Sequence, residues 1–549
     1  MEIERIVLIG FSGTGKSTIA RLLANALDWT AIDTDRAVEI VATKTIPDIF
    51  AQDGEAIFRD LERTLLLHSL DQTQVVIATG GGAIISEDVW TEVALRRPGT
   101  LTIALDSDPA TILNRLRNQQ AIANETIERP LLATADPLQR ITDLKASRQA
   151  AYDRADLTLV TDTMSTADVV EQIASFVADS NEPDVTLDAP GGRSCIFVRP
   201  GIVDWTGTLV RGQWPKARQA FVVTDANVGP LHADCVRESL ESAGLAVQII
   251  TVPSGEGSKS WMTAGDVIGT MLESGIQRND VVVALGGGVV GDLAGFASAV
   301  VLRGVGIVQI PTSLLAMVDS SVGGKTGVNH PAGKNLIGAF YQPPLVIVDP
   351  ELLRTLPSRE LTQGWAEVVK HAVIQPSTPD QYRSDLFAFL ERNRDDLVAL
   401  REPATSYAIR RNIVLKASVV EADEREASLR AILNYGHTIG HAIEAAEYRY
   451  LHGEAISVGI HAANRIALLE GRIDDIREQS IAELLAGFSL PSRAGFDRAT
   501  VRDRMRSDKK RTAGRQTWVL PTGVAGVEQV TGISDEIIDA ALDFVRSAD

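Results

Sequence analysis

The sequence predicts an α/β protein with more than one domain, and three observations support this. Up to about residue 360, short apolar runs of strand length alternate with helical patterns, an order typical of parallel sheets flanked by helices. From about residue 361 onward the patterns are almost entirely helical. The chain has 549 residues, which is too long for one hydrophobic core. We therefore expect two α/β regions followed by an all-α region.

A polar break separates the two α/β regions. Residues 179–184 read Asp-Ser-Asn-Glu-Pro-Asp and interrupt the periodicity, so we predict a linker at 178–184. The regions on either side are then 1–177, 185–360 and 361–549.

The predicted elements follow the apolar runs in chain order. In the first region we predict strands at Ile6–Ile9, Val75–Ala78, Thr100–Leu105 and Leu157–Val160, with helices such as Ser17–Leu27 and Thr166–Phe176. In the second region we predict strands at Ala220–Thr224, Val247–Val252, Val281–Leu285, Gly306–Ile310 and Leu345–Val348.

The composition narrows the class of protein. A hydrophobic share of 45% and a charged share of 23% are typical of globular domains. The net charge of −19 argues against a nucleic-acid partner, which would favour a basic face. The two cysteines, Cys195 and Cys235, allow no disulfide framework, and we expect both to be buried. The sequence shows no signal-peptide pattern and no apolar stretch near the ~20 residues of a transmembrane helix, so we expect a cytoplasmic protein without a membrane partner.

A phosphate-binding pattern follows the first predicted strand. Gly10 to Ser17 fits strand–GxxxxGK[ST]–helix in the context that this motif requires. Its glycines let backbone amides curl around phosphate oxygens, Lys16 would reach the outer phosphates, and Ser17 would ligate Mg²⁺. The alternative is a glycine-rich turn before a helix. We predict a nucleotide site.

Other residues of the first region suit a small acidic acceptor. Asp33 and Asp35 follow an apolar segment on one side of a predicted extended turn; alternatively, they cap a helix at Arg36–Thr43. Arg59 lies in a largely apolar helix and could bind a carboxylate with both guanidinium nitrogens. Three further features are the glycines 80–82 at a strand end, Arg129 in a polar segment, and Arg148.

Taken together, these residues resemble shikimate kinase over essentially all of 1–177. The resemblance implies a P-loop kinase with a parallel sheet. It implies that Lys16, Asp35 and Arg129 act in catalysis, and that Ser17 and Asp33 serve Mg²⁺. The implied ATP contacts are Gly13, Thr14, Gly15, Lys16, Ser17, Thr18 and Arg129. The implied shikimate contacts are Asp35, Arg59, Gly80, Gly81, Gly82 and Arg148.

The all-α region carries a candidate metal site. His437 and His441 stand one helical turn apart, as on the helix of zinc peptidases, but Thr438 replaces the general-base glutamate. On one continuous helix, an arc of about 80° would hold Glu426, Arg430, Asn434, His437 and His441. Such a stripe is usually solvated, but apolar neighbours favour a buried helix that lines a site. One carboxylate and two imidazoles, Glu367, His437 and His452, would suit Zn²⁺ or a similar ion.

The second α/β region contains glycine- and cation-rich segments. A glycine run at 286–288 follows a strand, although a bare glycine run is weak evidence for a dinucleotide site. The segments at 225–227 and 253–259 could be simple turns. Residues 311–329, with Lys334 and Asn335, combine small residues with cations, as a polyanionic ligand lying on backbone would need.

The chain from about 185 to 549 resembles 3-dehydroquinate synthase. The resemblance implies an NAD-binding α/β domain and a helical domain that binds metal through Glu367, His437 and His452. The implied catalytic residues are Lys325, Lys370, Lys416 and His441. The implied NAD⁺ contacts are Asp225, Asn227, Ser254, Gly255, Glu256, Lys259, Gly288, Val289, Val290, Gly291, Asp292, Thr312, Ser313, Asp319, Lys325, Lys334 and Thr355. The implied contacts to the heptulosonate phosphate are Arg303, Lys325, Asn335, Lys370, Lys416, Arg430, Asn434, His441, Lys509 and Lys510.

The two resemblances imply a bifunctional enzyme of aromatic amino acid biosynthesis. One half would phosphorylate shikimate with ATP and Mg²⁺. The other would cyclise 3-deoxy-D-arabino-heptulosonate 7-phosphate with NAD⁺ and Zn²⁺ or Co²⁺. We expect small-molecule substrates, two independent sites, and a homodimer through the second half. The alternative is another small-metabolite kinase fused to a metal-dependent polyol dehydrogenase, which would not need the cation array.

Overall fold

The structure is a computed structural model. It describes residues 3–547 except 86–88, 92–93, 96, 98, 124–135, 153, 156, 163, 178–182, 381–384, 448, 512–515 and 524. The chain divides into two compact units, one of Met1–Asp179 and one of Ser180–Arg401 with Thr405–Asp549.

The first unit is a parallel sheet covered by helices. Its described strands, in spatial order β2-β3-β1-β4-β5, are all parallel. The strands are β1 (Arg5–Ile9), β2 (Thr30–Asp33), β3 (Val75–Ala78), β4 (Thr100–Asp106) and β5 (Leu157–Val160). The helices are α1 (Lys16–Leu27), α2 (Thr34–Ala42), α3 (Ile46–Gln52), α4 (Glu55–Ser69), α5 (Pro109–Ala123), α6 (Pro137–Tyr152) and α7 (Thr166–Val177).

Strand β1 shows why this sheet is buried on both faces. Ile6 and Leu8 pack into the core formed with α1 and α7, whereas Val7 and Ile9 pack into the core on the opposite face. Successive side chains of a strand point to opposite faces, so an uninterrupted apolar run needs cover on both. The central position of β1 puts the segment that follows it, Gly10–Gly15, at the carboxyl edge of the sheet, where ligands of α/β proteins bind.

The second unit begins with a larger sheet. Its described strands have the spatial order β6-β7-β14-β11-β10-β8-β9, with only β6 antiparallel to its neighbour. These strands are β6 (Val185–Ala189), β7 (Gly192–Val198), β8 (Gln219–Asp225), β9 (Ala246–Val252), β10 (Val281–Gly286), β11 (Gly306–Pro311) and β14 (Leu345–Val348). The helices of this part are α8 (Thr206–Gln213), α9 (Gly229–Ser242), α10 (Trp261–Glu273) and α11 (Gly288–Val300), and a hairpin comprises β12 (Lys325–His330) and β13 (Gly333–Phe340).

The remainder of the second unit is mainly helical. Its helices are α12 (Ser358–Ile374), α13 (Leu386–Arg392), α14 (Arg394–Val398), α15 (Ala404–Ala422), α16 (His437–Ala446), α17 (His452–Leu469), α18 (Asp475–Gly487), α19 (Arg498–Arg511) and α20 (Asp535–Val545). The sequence pattern did not predict the antiparallel hairpin of β15 (Thr517–Pro521) and β16 (Val527–Thr531). The predicted fold class, two α/β regions followed by a helical region, is confirmed.

Three local expectations were wrong. Residues 426–441 are not one helix, because Glu426 and Gly436 have left-handed φ values of 59° and 80° and Leu429–Asn434 is a 3₁₀ segment. Asp33 and Asp35 do not share an extended turn, since Asp33 ends β2 and Asp35 lies in the first turn of α2. Neither cysteine is fully buried, and the Cys235 thiol donates to Asp204 Oδ1 at 2.9 Å.

The segment before β6 contains a buried carboxylate. The side chain of Asp184, within the predicted linker, is buried and accepts hydrogen bonds from Val198 N at 2.9 Å and Arg199 Nε at 3.0 Å.

Within the described part of the chain, no helix combines the length and apolar character of a transmembrane span.

Candidate active sites

The loop after β1 forms a backbone cradle. Gly10, Gly13 and Gly15 have φ values of 137°, 88° and 98°, a region that disfavours side-chain-bearing residues. A Cβ on Gly10 would also lie 2.3 Å from Leu105 O. Helix α1 starts at Lys16, so its free amides open toward the loop. The predicted phosphate loop thus has a backbone that can bind an anion.

Lys16 is held in this loop by its own backbone. Its Nζ donates to Gly10 O at 2.8 Å and to Phe11 O at 2.9 Å. Burial lowers the pKa of Lys16 to about 8, although the carboxylates of Asp35 and Asp33 act in the opposite direction. Ser17 and Thr18 are exposed on the first turn of α1, and Thr14 is buried.

The predicted acceptor residues gather around the glycines 80–82. A Cβ on Gly80 would lie 2.5 Å from Asp35 Oδ1, and a Cβ on Gly82 would lie 2.5 Å from Arg59 Nη1. The Arg148 guanidinium donates to Gly81 O at 3.1 Å. Gly80 and Gly82 are therefore required for close packing, because a side chain at either position would displace Asp35 or Arg59. Burial, together with the charge of Asp33, raises the pKa of the Asp35 carboxyl.

Asp33 caps a helix and lies close to Lys16 and Asp35. It caps α2 by accepting from Arg36 N at 3.3 Å, as the helix-cap alternative expects. Its charge also acts to raise the pKa of both Lys16 and Asp35, so it lies close to these two side chains. Arg129 lies outside the described residues.

Sequence reasoning missed Glu62, which belongs to this cluster. Its side chain is 2% exposed and accepts from Arg59 Nη1 at 2.7 Å. Its other oxygen would lie 2.1 Å from a Cβ on Gly80. Burial raises the pKa of the Glu62 carboxyl, because its charged form loses solvation there. The available signal was its spacing, three residues after Arg59 on α4.

The predicted metal ligands of the second unit come together. Glu367 Oε1 lies 3.6 Å from His437 Nε2 and 3.4 Å from His452 Nε2. Ligand atoms of a tetrahedral site with bonds of about 2.0–2.1 Å stand roughly 3.3 Å apart, so these separations fit. Glu367 comes from α12, His437 from the start of α16, and His452 from the start of α17.

His441 is a further potential ligand. One nitrogen from each of His437, His441 and His452 lies within 4.8 Å of the other two. A second group with the same spacing contains Asp319, Glu367 and His371. Lys416 Nζ donates to Asp319 Oδ1 at 2.6 Å and so already neutralises that carboxylate. Imidazole nitrogens are preferred ligands of Zn²⁺, so the cluster of three histidines beside Glu367 is the better cation site.

Buried charges surround this cluster. Glu367 and Lys370, both fully buried, form an ion pair within α12. Burial would raise the pKa of Glu367, but Lys370 and the imidazoles of His437 and His452 hold it well below its usual range. Burial lowers the pKa of Lys416 to about 8 despite the charge of Asp319. Burial, and the charge of Lys370, lower the pKa of His371 to about 3.

The predicted substrate residues make contacts among themselves. Glu426 pairs with Lys325 and accepts from Asn434 Nδ2 at 2.7 Å. Arg430 is buried and donates to Glu424 O at 2.5 Å and Gly323 O at 3.3 Å. These contacts bring Lys325, from β12, next to Arg430 and Asn434, which share the 3₁₀ segment Leu429–Asn434.

One predicted contact, Arg303, is not joined to this cluster within the described part of the chain. Arg303 is exposed after α11 with a φ of 67°, and the described residues give it no hydrogen bond or ion pair. Lys509 and Lys510 lie on α19, and their side chains are outside the description.

The predicted dinucleotide contacts lie mainly at the carboxyl edge of the large sheet. Gly288 to Asp292 form the start of α11, directly after β10, and a Cβ on Gly288 would lie 3.0 Å from Ser320 Oγ. Lys259 Nζ donates to Asp292 Oδ2 at 2.5 Å, and Glu256 accepts from Asn329 Nδ2 at 2.7 Å. The positions of Ser254, Gly255, Val289, Val290, Gly291, Thr312 and Ser313 are in the loops and helix starts after β9, β10 and β11.

Other predicted dinucleotide contacts have structural partners. Asp225 Oδ1 accepts from Asn227 N at 2.8 Å, so the turn alternative is correct for its local conformation. Thr355 Oγ1 is 2.8 Å from His232 Nε2. Asn335, a predicted contact of the heptulosonate phosphate, donates from its backbone N to Asn329 Oδ1 at 2.9 Å in the hairpin β12–β13.

The fold and the two clusters of side chains define an enzyme with two active centres. One centre has a phosphate-binding loop, and the other has a set of potential metal ligands beside buried cations. Comparison with known families agrees: shikimate kinase matches residues 12–178, and the N- and C-terminal parts of 3-dehydroquinate synthase match 249–363 and 364–511. The chain belongs to the 3-dehydroquinate synthase family and carries a shikimate kinase domain at its N-terminal side.

Curated relatives support the family over the second unit. The 3-dehydroquinate synthase of Symbiobacterium thermophilum is 44% identical over 355 residues, which are 64% of this chain and 97% of the relative. That of Desulforamulus reducens is 43% identical over 357 residues, with the same coverage of both chains.

Solved structures show the same fold for this unit. A 2-epi-5-epi-valiolone synthase from Streptomyces hygroscopicus, with NAD⁺ and Zn²⁺ bound, has a TM-score of 0.56 at 27% identity and covers 60% of this chain and 91% of its own. A 2-deoxy-scyllo-inosose synthase, complexed with carbaglucose-6-phosphate, NAD⁺ and Co²⁺, has a TM-score of 0.59 at 25% identity and covers 66% and 99%.

Proposed function

We propose that each unit catalyses one reaction of the shikimate pathway. The first transfers a phosphoryl group from ATP to shikimate and gives shikimate 3-phosphate. The second converts 3-deoxy-D-arabino-heptulosonate 7-phosphate into 3-dehydroquinate and phosphate. The observation that carries the second assignment is the convergence of Glu367, His437 and His452 beside the buried cations Lys370 and Lys416.

In the kinase unit, the loop Gly10–Gly15 and the start of α1 would hold the phosphates of ATP. Lys16 would exchange its present backbone acceptors for phosphate oxygens, and Ser17 with Asp33 would serve Mg²⁺. Asp35 faces Gly80 and would accept the proton of the shikimate hydroxyl. Arg59, which lies against Gly82, and Arg148, which lies against Gly81, would bind the carboxylate.

The residues of the synthase unit fit a divalent metal. The donor set of one carboxylate and two or three imidazoles suits Zn²⁺ or Co²⁺, and Glu367 is a fully buried carboxylate that needs cationic partners. Glu367, His437 and His452 would hold the ion. The start of α11 and the Lys259–Asp292 pair would hold NAD⁺.

When bound, the dinucleotide supplies a reversible hydride acceptor and the metal a Lewis acid. Lys370, Lys416 and Arg430 would bind the phosphate and carboxylate of the substrate. These cations are buried, so their attraction for the anionic substrate is weakly screened by solvent. His441, in the imidazole cluster, would handle a proton near the reacting carbons.

The oligomeric state and the location also belong to this proposal. We propose a homodimer through the second unit, because α10 and the hairpin β12–β13 expose the large apolar side chains Trp261, Met262, Leu336 and Phe340. We place the enzyme in the cytoplasm, where ATP and NAD⁺ are supplied.

Metal add-back tests both activities on one preparation. Protein stripped of metal would be assayed for phosphate release from the heptulosonate phosphate with NAD⁺, and for shikimate phosphorylation with ATP. Mg²⁺ should restore only the kinase reaction, and Zn²⁺ or Co²⁺ should restore the cyclisation. Net NADH accumulation with a simple polyol would instead indicate a polyol dehydrogenase. Cyclisation that is unaffected by complete metal removal would contradict the proposed site.

A further inference from the structure

Glu444, on α16, contacts two groups that come from distant parts of the chain. Its Oε2 lies 3.2 Å from His452 Nδ1 on α17. Its Oε1 accepts from Lys334 Nζ at 2.7 Å on β13. The Glu444 side chain is only 15% exposed, whereas Lys334 is 48% exposed. The sequence pattern did not single out this glutamate.

The contact with Glu444 fixes which nitrogen of His452 is available. A carboxylate oxygen is an acceptor, so the hydrogen bond requires a proton on His452 Nδ1. The neutral ring then has its lone pair on Nε2, the atom that lies 3.4 Å from Glu367 Oε1. Without Glu444, the ring could adopt the other tautomer or rotate.

His437 is held in the same way by a different acceptor. Its Nδ1 lies 3.0 Å from Tyr435 O, and its Nε2 faces Glu367 at 3.6 Å. A carbonyl oxygen also accepts only, so His437 also carries its proton on Nδ1. The two imidazoles therefore present the same kind of nitrogen toward one carboxylate oxygen, and each has its own orienting acceptor.

We propose that Glu444 is a positioning residue of the metal site, which orients His452 and keeps its Nε2 free for the ion. This inference rests on the proposed function, because it assumes that the cluster binds a divalent metal. Orienting partners of this kind change metal affinity by roughly 10–100-fold. Lys334 neutralises the outer oxygen of Glu444, so the pair can remain at the edge of the site without an unpaired charge.

A purely structural role makes a different prediction. If Glu444 served only to attach α16 to β13 through Lys334, then removing either member of the ion pair would have the same effect. Lys334→Met removes the ion pair but leaves the carboxylate for His452, whereas Glu444→Ala removes both contacts. The comparison of these two variants separates the roles.

The test measures the Co²⁺ affinity of the full-length protein by competition with a chelator, followed by visible absorption. Glu444→Ala should weaken Co²⁺ binding roughly 10–100-fold, and Lys334→Met should change it no more than about threefold. Glu470→Ala, an exposed glutamate after α17, is the matched control and should bind Co²⁺ like the wild type. Circular dichroism of the metal-free proteins reports folding, and Glu444→Met replaces the alanine variant if that variant does not fold.

His452→Ala separates failure of this inference from failure of the proposed function. If the wild type binds no Co²⁺, or if His452→Ala binds it as tightly as the wild type, the metal site itself is wrong. If His452→Ala weakens binding and a folded Glu444 variant does not, only the positioning role is overturned. Equal weakening by Glu444→Ala and Lys334→Met would also overturn it, in favour of the structural role.

Discussion

Gly453 N donates a hydrogen bond to Gln363 Oε1 at 2.9 Å, and a Cβ added to Gly453 would lie 1.9 Å from the carbonyl oxygen of Gln363. Gly453 follows His452 at the start of α17, and Gln363 lies one turn before Glu367 on α12. This close packing of two backbones sets the separation between two of the proposed metal ligands.

We therefore expect Gly453→Ala to weaken metal binding and to destabilise the second unit. The added carbon must push α17 away from α12, since its nearest neighbour is backbone and cannot rotate aside. Overpacking of this kind costs about 1–3 kcal/mol. Chemical denaturation measures the loss of stability, and Co²⁺ titration measures the loss of affinity.

Gly265→Ala is the matched control for that substitution. Gly265 lies on α10 with no atom within 4 Å of an added Cβ. Alanine should stabilise this helix by about 0.5–1 kcal/mol and leave Co²⁺ binding unchanged. Wild-type stability and metal affinity in Gly453→Ala would show that the two helices can separate without consequence for the site.

The two reactions should be lost separately. Lys16→Ala removes the cation of the phosphate loop and should abolish shikimate phosphorylation while cyclisation continues at the wild-type rate. His437→Ala removes a proposed metal ligand and should have the reverse effect. Both assays are run on each purified variant after circular dichroism confirms that it is folded. Loss of both activities in a folded single variant would contradict independent sites.

Local sequence signals were sufficient wherever one periodicity or one motif determined the structure. The apolar runs at Val75–Ala78 and Leu345–Val348 are strands with the predicted bounds, because a fully buried parallel strand needs apolar residues on both faces. The run at Leu157–Val160 also has the predicted bounds, as the edge strand β5. The motif at Gly10–Ser17 likewise specified a loop between a strand and a helix. Convergence of Glu367, His437 and His452 was anticipated through family resemblance, since spacing alone does not bring three helices together.

The sequence-based predictions failed where the local structure depends on backbone conformation or on contacts with distant segments. A helical wheel over 426–441 assumes one continuous helix, but Gly436 adopts a φ of 80° and packs against Ile460, where a Cβ would lie 2.5 Å from a side-chain carbon. Glu444 looks like any glutamate on a helix, and its role depends on His452 and Lys334 from other segments. The hairpin β12–β13 contains three glycines and few strand-forming residues, so propensity did not reveal it.

Because His461 is buried, we expect the folded protein to lose stability in mild acid. It is 7% exposed on α17, and its Nε2 has no hydrogen-bond partner among the described residues. Burial lowers the pKa of His461 to about 4. Between pH 6.5 and 4 the unfolded chain therefore binds a proton that the folded chain excludes, so stability falls as the pH decreases through this window.

Across this window, His461 lowers the free energy of unfolding by roughly 3 kcal/mol, which corresponds to 1.36 kcal/mol for each pH unit. His461→Leu removes the titrating group and should flatten the dependence of unfolding free energy on pH by that amount. Urea denaturation of the second unit at several pH values measures the difference between the two proteins. Parallel curves for wild type and variant would show that folding does not lower the pKa of His461.

Gly82 should control the affinity of the kinase for its acidic substrate. A Cβ at this position would lie 2.5–2.8 Å from three atoms of the Arg59 guanidinium. Gly82→Ala should therefore move Arg59, a proposed carboxylate contact, away from its ion pair with Glu62. Since a misplaced bidentate contact costs about 1.5–3 kcal/mol, we expect the KM for shikimate to rise at least tenfold. The KM for ATP should change little, because the phosphate loop is not touched by this side chain. Steady-state kinetics with each substrate varied in turn measures both constants, and a rise confined to the KM for ATP would place the carboxylate of shikimate elsewhere.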